Sequence, residues 1–480
     1  MRISSLRGGL QSSPAKTVFI TPHSESQVPL PYARVATVVE APSARFLRAR
    51  ELFAVFPPGK ERLMTGMTGR NPFSLFGVLV VVVLLAACQK EVFECKDEIG
   101  CVHIKPDEPV KFGVLQALTG EVAPLGIGQV RGIKLAMKDR SGRFMDHQID
   151  LQIEDTHCTA EGGANAALRV IADPQTVAIM GTTCSIEAAS ASKIMSEAGF
   201  TMISGNNSAP FLTSVAGKRA PDWHPGYFRT APNEEQSGGA GATFTFERLG
   251  VRKAALLNDG DIYSRGLTDG FKQVFEKLGG EIVLDGTINK GDTHMGPVLS
   301  AVRASHAQLL FFPLFQPEGN HIVLQAKKFS GLENVVLMGD GALIATPFIE
   351  AVKEDGVGMY FVGPDIPRGP STERLAAQYQ AEYEHPPDNP YYLSAYDSAE
   401  ILLEAVEKAA VREPDGTLHI GRKALRDAMY ATSSFDGVTG RLACGELGDC
   451  AAPRFNVLRL DDPSKGLEGL KSNVVFTFEP

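Results

Sequence analysis

The sequence predicts an α/β protein of two lobes, each a parallel sheet covered by helices on both faces. Three observations carry this expectation. From Val110 onward, short apolar runs of strand length alternate with amphipathic stretches of helix length. The alternation breaks near Pro232 and then restarts. Polar, small-residue segments follow the apolar runs, where parallel sheets place the loops that lead into helices.

In the first series, strands are expected over 110–115, 149–153, 177–180 and 201–204, with helices over 129–139, 161–172 and 186–198. Ile149–Ile153 alternates apolar and polar residues, the period of a strand. Ala164, Ala167, Leu168 and Ile171 recur at helical spacing and predict the buried face of the second helix. The second series places strands over 254–257, 282–284, 309–312, 335–338 and 359–362, with helices over 264–278, 295–305 and 319–329. Helical patterns over 372–384, 393–409 and 422–431 then follow with no strand expected between them.

Composition narrows the function classes. The chain has 480 residues, 47 basic and 56 acidic, for a formal net charge of −9. That balance argues against a nucleic-acid surface, which needs a basic excess or a concentrated basic face. No G-x-S-x-G, H-E-x-x-H or P-loop is present, and Gly126-Ile-Gly128 lacks the third glycine of a dinucleotide loop. No enzyme activity and no cofactor are therefore expected.

The amino-terminal region is not globular in pattern. Phe73–Ala87 is an almost wholly apolar run preceded by Arg70 and closed by small residues. As a helix it would span roughly 22 Å, short of the roughly 30 Å hydrocarbon core of a bilayer. Its flanks suit a signal peptide. Leu85-Ala-Ala-Cys88 resembles the lipobox of bacterial lipoproteins, which implies cleavage before Cys88 and a diacylglyceryl group on its thiol. Residues 64–87 are then the signal peptide and 88–108 a tether. Residues 1–63, rich in Arg, Ser and Pro without a periodic pattern, read as a disordered extension or as sequence upstream of a start at Met64 or Met67. The expected location is the periplasmic or extracellular face of the envelope, held by lipid.

Apart from Cys88, six cysteines remain. Export permits disulfides, and six cysteines allow fifteen pairings. The close spacings favour Cys95–Cys101 and Cys444–Cys450, leaving Cys158 with Cys184. The rival is a metal site using His157, Cys158 and Cys184, although no regular zinc spacing appears and no metal is expected.

The loops after strands hold the candidate binding groups. Gly181-Thr-Thr-Cys-Ser185 opens a helix, with Ser185 placed as its N-cap beside free backbone N–H groups suited to an anion. Asn207 and Ser208 lie in the loop after the next strand. In the second series, Tyr263 opens a helix and Asp340 follows a strand, placed to cover a ligand and to pair with an ammonium group.

These residues resemble the type I periplasmic binding proteins of ABC transporters, specifically the branched-chain amino-acid binding group. The resemblance covers most of 110–460. It rests on Leu118-Thr-Gly-Glu-Val-Ala-Pro-Leu-Gly126, Asp155-Thr-His-Cys158, Cys184-Ser185, Met202-Ile-Ser204 with Pro210, and Phe228-Arg-Thr-Ala231. Asp259-Gly-Asp-Ile-Tyr-Ser-Arg-Gly266 and Met338-Gly-Asp-Gly341 complete it. The family fold implies two Rossmann-like lobes, 109–229 plus 363–437 and 230–362 plus 438–480, joined by a three-segment hinge near Arg229-Thr230, Val362-Gly363 and Val438-Thr439. It also implies a Cys158–Cys184 disulfide.

By the same resemblance, Ser185, Asn207 and Ser208 bind a ligand carboxylate and Tyr263 covers the ligand. Asp340 lies near the position of the acidic partner of the amino group, offset by one residue. Phe315 and Gln316 occupy a loop that supplies an aromatic contact, and Leu125 stands where an aromatic sometimes does. The family's Ser-rich run is reduced to Ser185-Ile186-Glu187, and its Ala-Thr pair reads Asn207-Ser208. The additional amide favours a ligand more polar than Leu, Ile or Val.

The implied function is a monomeric receptor that closes around an amino acid or related small polar solute and delivers it to an ABC permease. The alternatives are an envelope regulator or sensor that uses the same fold, and an amide or urea receptor.

Overall fold

The computed structural model describes residues 93–479. The expected extension 1–63, the signal peptide 64–87 and the lipidation site Cys88 lie outside the described residues.

Val110, Phe112 and Val114 alternate with Gly113 and Leu115 along the central strand of the first sheet, and each face meets a different helix layer. Val110, Phe112 and Val114 pack with Ile133, Ala136 and Leu402. On the other face Leu115 packs with Ala166, Ala167 and Val170. Gly113 also points that way, where a Cβ would collide with the Val170 side chain. Burial on both faces explains the near-continuous apolar run.

This sheet has six strands, in the order Arg143–Phe144, His147–Asp155, Val110–Gln116, Thr176–Gly181, Met202–Ser204 and Tyr227–Arg229. All neighbours are parallel except the antiparallel edge strand Arg143–Phe144. The second sheet has seven strands, in the order Glu281–Thr287, Lys253–Asn258, Leu309–Phe311, Val336–Asp340, Tyr360–Pro364, Phe455–Arg459 and Val474–Phe478. Its first five strands are parallel, the sixth runs antiparallel to them, and the seventh is antiparallel to the sixth. The two-sheet α/β architecture expected from the alternation is present.

Several local expectations shift. The first helix runs Ala123–Asp139, six residues earlier than its periodicity suggests, with a proline in its first turn. Its glycines report close packing there: a Cβ on Gly126 would lie 1.9 Å from the Ala117 carbonyl oxygen. In the helix Ala160–Ile171 the buried face is Gly163, Ala166, Ala167 and Val170. Leu168, expected inside, is 52% exposed. Strands Ala410–Arg412 and Leu418–Gly421 stand between helices where none was expected, and Leu418–Gly421 pairs with Cys101–Ile104. The end of the segment read as a tether is thus a strand, with Val102 and Ile104 buried in the core.

The chain passes from the first sheet after Tyr227–Arg229 and leaves the second after Tyr360–Pro364. The third passage lies between Cys450, whose N–H donates to the Arg229 carbonyl at 3.0 Å, and Phe455, which begins a strand of the second sheet. The expected passage at Val438-Thr439 is displaced. Both of those N–H groups donate to the Asp397 carboxylate at 2.8 Å, which holds them against the helix Tyr392–Ala409. Among the described residues no helix is long and apolar enough to cross a membrane.

Candidate ligand-binding site

The strand Thr176–Gly181 delivers the chain to the helix Ser185–Glu197. Cys184 is the N-cap and Ser185 the first helical residue, one step from the expected assignment. Glu187 occupies the helix start from within. Its Oε2 accepts from the Thr183 and Cys184 N–H groups at 3.1 and 2.9 Å, and its Oε1 accepts from Thr156 Oγ1 at 2.6 Å. Burial raises its carboxyl to about 7 despite these donors. The Ser185 hydroxyl accepts the Ala209 N–H at 3.2 Å, so helix start and neighbouring loop are stitched together.

In that loop the two asparagines divide the work. Asn207 is fully buried, and its Oδ1 accepts from the Thr182 N–H, Thr182 Oγ1 and Tyr227 Oη at 3.0, 3.2 and 3.1 Å. It braces the loop and does not line the cavity. Asn206 does line it, while its Nδ2 donates to the Thr183 carbonyl at 2.8 Å. The Ser208 hydroxyl donates to Glu234 Oε2 at 2.9 Å.

From the second lobe, Asp261 caps the helix Ile262–Lys277 and accepts the Tyr263 N–H at 3.0 Å. The Tyr263 ring leans on Phe315 with centroids 5.2 Å apart. Its hydroxyl donates to Asp340 Oδ2, and Asp340 Oδ1 has no hydrogen-bond partner. Burial pushes the Asp340 carboxyl well above the usual range, and nearby Glu234 pushes it further, while the Tyr263 hydrogen bond opposes both. Glu234 is raised to about 7 by burial, against the hydrogen bond from Ser208 and the Arg229 charge.

Leu125, Ser185, Asn206, Ser208, Tyr263 and Phe315 converge on one cavity of about 10 Å³, with Tyr391 closing it. Of the expected residues, Ser185, Ser208, Tyr263 and Phe315 therefore come together. Asp340 lies behind Tyr263. Gln316 is not among the lining residues, and its Oε1 accepts from Asn320 Nδ2 at 3.3 Å. Sequence reasoning missed Glu234, Asn206 and Tyr391. Glu234 precedes a Gly/Ala-rich helix, Glu235–Thr243, which lacks a readable apolar stripe.

All three expected disulfides are formed: Cys95–Cys101, Cys158–Cys184 and Cys444–Cys450. The Cys158–Cys184 bond uses both sulfurs of the rival metal arrangement. His157 instead turns to Thr119 Oγ1 at 2.8 Å and Asp155 Oδ2 at 3.2 Å. The second and third bridges clamp, respectively, the site helix and the segment that joins the lobes.

Comparison with known proteins agrees with this architecture. A family model described as periplasmic binding protein matches residues 109–451. The chain is 23% identical to "Leu/Ile/Val-binding protein homolog 3" of Brucella melitensis over 74% of this chain and 92% of that protein. It is 25% identical to the "Leucine-, isoleucine-, valine-, threonine-, and alanine-binding protein" of Pseudomonas aeruginosa, over 73% of this chain and 89% of that one. The crystal structure of a leucine binding protein from Thermotoga maritima aligns with a TM-score of 0.66 at 22% identity, covering 77% of this chain and 99% of that one. The match spans well over half of the sequence, and the chain belongs to the periplasmic binding protein family.

Proposed function

We propose that the protein captures an amino acid or related small polar solute between its two lobes and presents it, unaltered, to an ABC permease. It would do so from the outer face of a membrane, anchored through lipid on Cys88. Names of relatives that bind Leu, Ile, Val, Thr and Ala support the ligand class.

One observation carries the reading: two carboxyls, Glu234 and Asp340, are buried directly behind the cavity lining, bonded to Ser208 and Tyr263 respectively, and among the described residues neither accepts a hydrogen bond from Lys or Arg. Burial holds the protons on these acids, and at Glu234 the Arg229 charge opposes it only in part. An incoming ammonium group supplies the absent charge and makes charge-assisted hydrogen bonds in a water-poor cleft. Because Ser185, Asn206 and Ser208 come from the first lobe and Glu234, Tyr263 and Asp340 from the second, a guest between them stabilises the closed state over the open one, and that difference drives closure.

The cavity of about 10 Å³ has room for about one water molecule. Uptake of an amino acid therefore requires the lobes to part and reclose around it. The same small cavity favours a second reading, an envelope regulator that uses the fold with its cleft filled by its own side chains. Denaturing the purified protein and identifying released small molecules by mass spectrometry separates the two, followed by thermal-shift measurements with amino acids, short amides and urea. A released or stabilising amino acid supports the receptor. Stabilisation by an amide or urea alone replaces the ligand class, and no response to any solute favours the regulator.

A further inference from the structure

A larger cavity, about 370 Å³, lies among the segments that join the lobes. Its wall takes Pro232 from the first passage, Ile366 from the second and Ala451 from the third. Ile344 comes from the second lobe, and Leu393 and Leu442 from the first. The size falls in the range of about 300–1,000 Å³ typical of small-molecule sites, and the mostly apolar lining with few polar groups is also typical. None of the acids of the cleft lines it.

The charged residues at this cavity are Arg441, Arg454 and Asp365. The Asp365 carboxylate is already engaged, accepting Asn456 Nδ2 at 2.7 Å. Arg441 is held only by an exposed partner, whereas Arg454 lies between Asp365 and Glu479. Arg441 Nε is 3.3 Å from Asp436, with side chains 72% and 81% exposed. Arg454 is 2.8 Å from Glu479, with side chains 54% and 61% exposed, and 3.6 Å from the mostly buried Asp365 carboxylate. Exposed pairs of this kind contribute little, so the Arg441 guanidinium can turn to a carboxylate at low cost, and Arg454 can release Glu479 while keeping its contact with Asp365.

We propose that this cavity is a second binding site, for an amphipathic monocarboxylate whose hydrocarbon part enters the apolar wall and whose carboxylate meets Arg441 and Arg454. A guest there would touch all three connecting segments. Tyr391 lines this cavity and the cleft cavity alike, so the two guests would share that side chain.

Isothermal titration of the purified protein with decanoate tests it, with decyltrimethylammonium as the control of opposite charge. Saturable decanoate binding is expected, with none for the cationic control. Ala452→Trp places a ring at an exposed lining position and is expected to weaken decanoate at least about tenfold. The double variant R441A/R454A is expected to weaken it about fivefold. Circular dichroism confirms that each variant is folded. Non-saturable decanoate binding, unchanged affinity in folded Ala452→Trp, or equal binding of the cation would each overturn the proposal.

Discussion

The Tyr263 hydroxyl donates to one oxygen of Asp340 while the other oxygen of that carboxyl has no hydrogen-bond partner, although the residue is completely buried. A half-satisfied buried acid destabilises the empty protein and favours a cationic guest. Asp340→Asn should leave the stability of the unliganded protein within about 1 kcal/mol of wild type or above it. It should weaken an amino-acid ligand about 100-fold, the scale of losing one partner of a buried charge pair. Calorimetric titration together with urea denaturation reads both effects. Unchanged affinity for an amino acid that binds the wild type would remove Asp340 from the site.

Stability should fall as pH rises through the neutral range. Glu234 is raised to about 7 in the folded protein, whereas an unperturbed glutamate titrates near 4.3. Between these values the native state holds a proton that the unfolded chain has released. The associated stabilisation is complete below about pH 4 and is lost by about pH 7, on the order of 3 kcal/mol. Asp340 acts in the same direction. Urea denaturation at pH 5 and pH 8 should show the decline, and Glu234→Gln should reduce it without abolishing it, because Glu187, Asp397 and Asp340 are raised in the same direction. An identical pH slope in the variant would refute the assignment. An ammonium ligand needs the ionised acids, so its affinity should drop as pH falls below about 7, with proton release on binding.

The adjacent asparagines should separate affinity from stability. Asn207→Ala removes the acceptor shared by the Thr182 N–H, Thr182 Oγ1 and Tyr227 Oη, and should cost about 2–3 kcal/mol. Asn206→Ala, at the cavity, should cost under about 1 kcal/mol and weaken the ligand roughly tenfold. The reverse pattern would show that Asn207 is the residue that meets the guest.

Much of this architecture is legible because burial on both faces writes itself into local composition. Thr176–Gly181 is buried throughout and reads as an apolar run, and the polar loops after such strands converge on the cleft as the parallel-sheet rule requires. What resists reading depends on distant contacts. Asn206 and Asn207 are chemically identical neighbours, and only the positions of Tyr227 and Thr183 decide which one faces the cavity. Glu234 resembles any acid near a helix start until Tyr263 and Asp340, distant in the sequence, are folded against it. The third passage is displaced because Asp397 captures Val438 and Thr439, a pairing across some forty residues that no periodicity encodes. The late strands Phe455–Arg459 and Val474–Phe478 likewise lie outside the strand–helix alternation.

Two disulfides should differ in their effect on binding. Cys158–Cys184 spans a sequence separation of 26 and Cys95–Cys101 one of 6. By loop entropy, replacing the first pair with serine should cost about 3 kcal/mol and the second about 2 kcal/mol. Only the first pair borders the helix that carries Ser185, so only its loss should also weaken the cleft ligand. Equal effects on affinity would separate the bridge from the site.

The Arg229 side chain is fully buried, and Asp449 is its anionic partner at 2.6 Å. Arg229 also donates to the Ala209 carbonyl at 2.7 Å and to Thr213 Oγ1, while Asp449 accepts from the Thr213 and Ser214 hydroxyls at 2.9 and 3.2 Å. One ion pair thus ties the loop after Ser208 to the first and third passages between the lobes. Asp449→Ala leaves a guanidinium in a dry interior with neutral acceptors only, and should cost about 3 kcal/mol. Asp449→Asn keeps an acceptor and should cost about half of that. Because Asp449 does not line the cleft cavity, any accompanying loss of ligand affinity in Asp449→Ala must pass through the loosened loop. Urea denaturation decides the matter: an Asp449→Ala protein within about 0.5 kcal/mol of wild type would mean that Arg229 finds its compensation elsewhere.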